Sequence, residues 1–289
     1  MYKIKKKIIY IFEGLLLFLV FILLKLLSVN SSSKLMGFIS MLIGPNLGIS
    51  KKAYNNIKSV FPKKNDKEVN KIIREMWNNL GRVIGEYPHL NKLLPKKRNS
   101  KILIKGKKNL FLVKKKNIPA IFFSAHLANW EIAPMIAIKN GIQVLTIYRK
   151  PNNPYVSFLL SYIRSNVPLA PKGPSGAKQL IKALRNGTSI GLIVDQKMND
   201  GIRVNFFNKP AMTAPALAQL ALKIKSIIIP VQIERLNGVN FQVTFHKPLK
   251  IIKNKKFKTT KQIMTEVNII IEKWIRKRPN QWFWLHKRW

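Results

Sequence analysis

The stretch "IPAIFFSAHLANWE", residues 118–131, decides how this chain is read. It opens as a short apolar run headed by Pro119, the pattern of a strand buried on both faces. It then reaches His126, one of four histidines, and closes on Glu131, one of eleven acidic residues. Beside 53 Lys and Arg, a carboxylate placed this close to a histidine stands out. The two cannot share one helical face, because five residues at about 100° each leave them roughly 140° apart. They can meet if His126 lies in the turn leaving the strand and Glu131 in the first turns of the next helix. A histidine at the carboxyl end of such a strand stands where open α/β sheets place their ligands. There it can take a proton from a substrate hydroxyl while the carboxylate fixes its tautomer. The plainer reading is a histidine hydrogen-bonded at a strand end and a glutamate favoured by a helix dipole. The spacing alone leaves both open.

Working outward, "IQVLTIY" (142–148), "SIGLIVD" (189–195) and "SIIIPVQI" (226–233) read as further buried strands. Helical periodicity runs over 66–87, with Asp66 placed as N-cap, and over 128–139, 152–165, 174–186, 213–225 and 260–278. This alternation predicts an α/β fold, a layered sandwich with a largely parallel central sheet. Ahead of it, a basic patch leads into Ile8–Leu27, apolar except for Glu13 and Lys25. About 20 apolar residues span a bilayer, so an N-terminal hydrophobic anchor helix is expected over 1–33, followed by one domain over 34–289. A cleaved signal would want a shorter apolar region and a small-x-small site, which "KLLSVNSSS" matches poorly. Lysines on both sides leave spanning and interfacial placement open. Residues 35–49, with Pro45 and three glycines, read as an interfacial or packed helix.

A net charge of +42 points to polyanionic partners, either nucleic acid or phosphate-bearing lipid. The absence of cysteine excludes disulfides, thiolate catalysis and Cys-ligated zinc. No nucleic-acid-binding module is recognisable, so no nucleic-acid partner is expected. "KGPSGAK" (172–178) lacks the spacing of a phosphate-binding P-loop.

Several motifs then fall in order: "NIKSVFPKKNDKEVNKIIREMWNNLGRVIGE" (56–86), "IKGKKNL" (104–110), "AHLANWE" (125–131), "YRKPNNP" (148–154), "IRSN" (163–166), "LIKALRNG" (180–187), "IVDQK" (193–197), "NFFNKPAMT" (205–213) and "PNQWFWLHKRW" (279–289). Together they resemble the lipid A biosynthesis acyltransferases of the lauroyl/myristoyl type, over about residues 50–289. The resemblance implies an O-acyltransferase that uses acyl carrier protein and sits at the bacterial inner membrane, its catalytic domain on the cytoplasmic side. It implies His126 as general base and Glu131 as its partner. A hydroxyl on an acyl chain of the anionic lipid A precursor would attack the carrier-protein thioester. No cofactor, metal or covalent acyl-enzyme is implied. Glycerolipid acyltransferases share a His-x4-acid pair but usually carry Asp as the acid, with a later Phe-Pro-Glu-Gly-Thr block. Here the acid is Glu and the only Phe-Pro lies upstream at 61–62. Phosphoinositide mannosides and amino lipids remain alternative acceptors within the superfamily.

Other residues carry two readings each. Arg149 follows a strand and is read as an anion contact, for a phosphate or the tetrahedral oxyanion. Arg164 faces either phosphate or solvent. Asp195 and Gln196 end a strand on the side expected for a site; Asp195 binds a sugar hydroxyl, orients Arg149, or forms a plain ion pair. Phe206, Phe207, Thr213 and the Ala-rich 214–222 line an acyl groove or pack a core. Glu86 is read as structural. His286, in a tail of tryptophan and cationic residues, is read as interfacial.

Overall fold

The structure, a computed structural model, describes residues 2–94, 101–116 and 118–289. Met1, the start of the expected anchor, lies outside them. In chain order the strands are β1 (Ile102–Lys105), β2 (Ala120–Ser124), β3 (Val144–Tyr148), β4 (Leu169–Pro171), β5 (Ser189–Ile193), β6 (Lys197–Phe206), β7 (Lys209–Thr213), β8 (Ile227–Asn237), β9 (Asn240–Phe245), β10 (Ile252–Lys253) and β11 (Lys256–Phe257). Seven form the central sheet in the order β1-β9-β8-β2-β5-β3-β4. Every neighbouring pair in it is parallel except the β8–β9 hairpin. The expected largely parallel sheet is present, and all of the anticipated strands lie in it.

The helices are α1 (Tyr2–Leu26), α2 (Val29–Ile43), α3 (Ser50–Val60), α4 (Asp66–Glu86), α5 (Leu90–Leu93), α6 (Lys107–Lys116), α7 (Ile132–Lys139), α8 (Pro154–Ile163), α9 (Pro174–Arg185), α10 (Ala216–Ile224) and α11 (Thr260–Lys277). They cover both faces of the sheet, which is why β2 is buried along its whole length. Successive residues of a strand point to opposite faces. Phe123 accordingly joins a core with Ile57, Met76, Leu184, Ile271 and Trp274, while Phe122 joins a second one with Leu110, Ile136, Ile163 and Phe245. Each such buried side chain contributes about 1.5–3 kcal/mol.

Local chemistry sets the helix ends that matter for the site. The N-cap of α4 is Asn65, not Asp66: Asn65 accepts from the Glu68 N–H and the Glu68 carboxylate accepts from the Asn65 N–H. Asp66 falls in the first turn, where its charge suits the dipole. α2 begins at Val29, so the "SSS" of 31–33 is helical. Ser32 lies against α4, its Oγ donating to the Gly85 carbonyl at 2.6 Å. The two helices cross closely because Gly81 and Gly85 have no side chain. A Cβ on Gly81 would stand 2.2 Å from the Met36 carbonyl oxygen. The Phe206, Phe207 and Thr213 cluster is buried core rather than an open groove, packed with Ala218 and Ala221 of α10 against α11.

Candidate active site

The site is set by strand register. β2 and β5 are parallel neighbours with Ser124 opposite Ile193, and the Val194 N–H continues the pairing to the Ser124 carbonyl. Two residues beyond each strand end lie His126 and Asp195, which therefore meet. Nδ1 of His126 is 2.8 Å from Oδ1 of Asp195, and the His126 backbone N–H donates to Oδ2 at 2.9 Å. Trp282 Nε1 donates to the same Oδ2 at 2.7 Å. Burial works against ionisation of Asp195, yet the His126 ring, the nearby His286 and the His126 backbone N–H hold its carboxyl well below the usual range. A carboxylate only accepts, so the neutral His126 ring carries its proton on Nδ1 and its lone pair on Nε2.

Glu131 does not reach His126. Between them Ala128 takes a left-handed conformation at φ 50°, and α7 starts only at Ile132, with Glu131 as its N-cap residue. The turn is clamped: Asn79 Nδ2 donates to the Ala128 carbonyl and the Ala128 N–H to the Gln281 carbonyl. Asn129 Nδ2 donates to Glu86, which is itself paired with Arg235 in the interior. The reversal sends Glu131 toward α4 and α8. There Arg164 Nε donates to Oε2 at 2.8 Å and Tyr87 Oη to Oε1 at 2.8 Å. Burial disfavours the Arg164 charge, but the Glu131 contacts outweigh it and raise its pKa. The Tyr87 phenol is also pushed up, first by burial and then by the Glu131 charge.

The other expected residues separate. Arg149 is exposed directly after β3, on the same sheet edge as His126 but with β5 between their strands. Asp195 does not orient Arg149, because its oxygens are engaged by His126 and Trp282. Gln196 is exposed beyond Asp195. Arg164 faces neither solvent nor an open anion site; it is bound to Glu131.

The carboxyl-terminal tail is part of the site, which its composition did not signal. Trp282, Trp284 and Arg288 are buried, so the tail is core and not a membrane-interface segment. Arg288 donates to Thr213 Oγ1 and the Met212 carbonyl, with its guanidinium 4.7 Å from the Phe206 ring centre. The Phe283 N–H donates to the His126 carbonyl, and the His286 ring stands edge-on to the His126 ring at 4.7 Å. Burial, with His126 and Arg288 nearby, pushes the His286 pKa down to about 4. A crevice too tight for a water molecule lies beside His126, between Met76, Asn79, Leu80, Trp130, Gln281, Trp282 and Phe283. His126, Asp195 and His286 place one ligand-type atom each within 4.8 Å of the others. By donor type the trio resembles a metal site. Within the trio Asp195 is held by His126 and Trp282, whereas the buried His286 Nε2 has no hydrogen-bond partner.

An α/β layered domain with a titratable pair at the carboxyl ends of adjacent parallel strands is built as an enzyme of this sheet class is built. Residues 2–289 match the family described as bacterial lipid A biosynthesis acyltransferase, and the chain belongs to that family. It is a lipid acyltransferase. Its structure is also similar to the crystal structure of the 1-acyl-sn-glycerophosphate (LPA) acyltransferase, PlsC, from Thermotoga maritima, with 12% identity and a TM-score of 0.40 over 88% of this chain and 99% of that chain. A search of the curated proteins found no match.

Proposed function

We propose that the chain moves a fatty acyl group from the thioester of acyl carrier protein to a hydroxyl of an anionic lipid A precursor, with His126 as general base. The observation that carries this reading is the His126–Asp195 pair at two neighbouring strand ends, which leaves the Nε2 lone pair for the hydroxyl proton. The hydroxyl oxygen attacks the thioester carbon as Nε2 takes its proton. The tetrahedral intermediate then collapses, and the departing thiolate recovers that proton from the imidazolium. Asp195 fixes the tautomer and offsets the positive ring, the role a buried carboxylate has in other histidine-base enzymes. Glu131 takes a different part from the one its spacing suggested. It holds Arg164 and Tyr87 together at the start of the helix that follows the His126 turn. Arg149, exposed on the same edge, would meet a substrate phosphate or the oxyanion. Acyl carrier protein is acidic, and α9 offers Lys178, Lys182 and Arg185 around one surface depression. α1, long and apolar enough to cross a bilayer, supports a membrane placement. In a bacterium the expected site is the inner membrane, with the catalytic domain on the cytoplasmic side.

The test is product mass spectrometry. Detergent-solubilised wild type and His126→Ala are offered mixed acyl-carrier-protein thioesters and a Kdo-bearing tetraacylated lipid A precursor. A mass gain of one acyl chain, absent in the variant, is expected. No gain from folded wild type, with acylation of a lysophosphatidic acid instead, would replace the acceptor in this reading.

A further inference from the structure

α1 is fastened to the catalytic domain along its length. Tyr10, Gly14, Leu17, Val20, Phe21 and Leu24 of α1 are turned inward, a stripe at helical spacing that covers roughly 20 Å of helix. Asn153, the N-cap residue of α8, donates to the Tyr10 carbonyl at 2.9 Å and to Glu13 at 3.0 Å. The single acid of α1 is thus met by the domain. Near the other end His89 is 2.9 Å from the Leu24 carbonyl, a helix-end acceptor. Gly14 sits so close to Tyr155 of α8 that a Cβ would lie 2.5 Å away. A helix held this way cannot enter lipid without bringing its neighbours.

Those neighbours are dressed for it. α8 has no charged residue from Pro154 to Ile163, and its outer face shows Tyr155, Phe158 and Tyr162, with Phe158 76% exposed. α2 packs its Ser and Gly side on α4 and turns Leu35, Phe38, Ile39, Leu42 and Ile43 outward at helical spacing. α1 touches both helices. Soluble monomers rarely leave contiguous apolar surface of this extent. Lys5, Lys6, Lys7, Lys25, Lys34, Lys51 and Lys52 are exposed at the ends and flanks of these helices, where anionic headgroups would meet them. A second copy of a chain with net charge +42 would be repelled from the same face.

We propose that α2 and α8 dip into a lipid leaflet beside α1, so that three helices form the embedded face of the protein. α8 then leads from the lipid toward the turn that carries His126, because its C-cap residue Arg164 pairs with Glu131 at the end of that turn. An acceptor lipid in that leaflet would approach His126 along α8. The burial of these faces in lipid holds whichever acceptor the enzyme uses.

The chain has no cysteine, so single labels can be placed without background. Full-length Phe38→Cys, Phe158→Cys, Leu16→Cys and Lys178→Cys would each carry a nitroxide, in vesicles of phosphatidylethanolamine with a minority of phosphatidylglycerol. Labels at 16, 38 and 158 should be open to oxygen and shielded from a water-soluble nickel chelate, with the reverse at 178. Labels at 38 and 158 as open to nickel as 178, with 16 still in lipid, would overturn the proposal and leave α1 as the sole anchor. Dipolar broadening at 158 without oxygen access would mean a second copy covers the face, which also overturns it. In parallel, Phe38→Glu with Phe158→Glu should weaken vesicle binding at least tenfold with the circular dichroism spectrum unchanged. Unaltered binding would count equally against it.

Discussion

Ser124 of β2 lies opposite Ile193 of β5, and that register brings His126 and Asp195 together. Both side chains sit two residues past the paired positions, so a shift of one residue between the strands would turn one of them away from the edge. The partner of the base is therefore fixed by sheet pairing across 69 residues of sequence, not by spacing along the chain.

Trp282 supports the pair through its hydrogen bond to Asp195. Trp282→Phe keeps most of the ring volume and leaves that oxygen with one fewer donor. Loss of a buried hydrogen bond of this type costs about 1–3 kcal/mol. Turnover should fall severalfold as well, with KM little changed. Denaturant titration and steady-state kinetics check the two effects separately.

The Glu131–Arg164 pair should behave as a unit. Both side chains are largely buried, and each variant strands the other's charge. In a double-mutant cycle of Glu131→Gln and Arg164→Met on stability, the coupling should be about 1–3 kcal/mol. A cycle of Glu131→Gln with His126→Ala should be close to additive. Coupling of the second pair as large as the first would mean that Glu131 acts through His126 after all.

Stability should weaken in mild acid because of His286. Its folded pKa, about 4, lies below the value of 6.5 for a free histidine. The unfolded chain thus binds a proton that the folded chain refuses over this interval. The contribution is full above about pH 6.5 and is lost as pH falls toward 4, with a slope of up to about 1.4 kcal/mol per pH unit. Burial lowers His89 and His246 in the same direction. Urea unfolding of wild type and His286→Phe at a series of pH values should show a shallower acid slope in the variant.

Much of this is legible in the sequence. The run 118–125 has the pattern of a buried strand, and that pattern ends just before His126, which stands at the strand end. Asp195 was recognised as a second strand-end residue, but which strands are neighbours depends on topology that a local pattern does not encode. The turn at Ala128 was invisible because alanine carries no sign of a left-handed conformation; its clamps, Asn79 and Gln281, are remote in sequence. The tail misled for a physical reason. Tryptophan beside arginine and lysine suits a membrane interface, yet the same residues can be buried when partners such as Thr213 and Asp195 await them. The strands β1 and β4 are too short to show a period.

The most direct test of the account is the turnover of three variants, each confirmed folded, in the carrier-protein assay. His126→Ala should lose activity to background. Asp195→Asn should fall by about 10²–10⁴, the range for a misoriented or missing general base. Glu131→Gln should lose less, since it disturbs the Arg164–Tyr87 cluster and not the tautomer of the base. If Asp195→Asn kept near-normal turnover while Glu131→Gln was as inactive as His126→Ala, the pairing of His126 with Asp195 would not be the catalytic one.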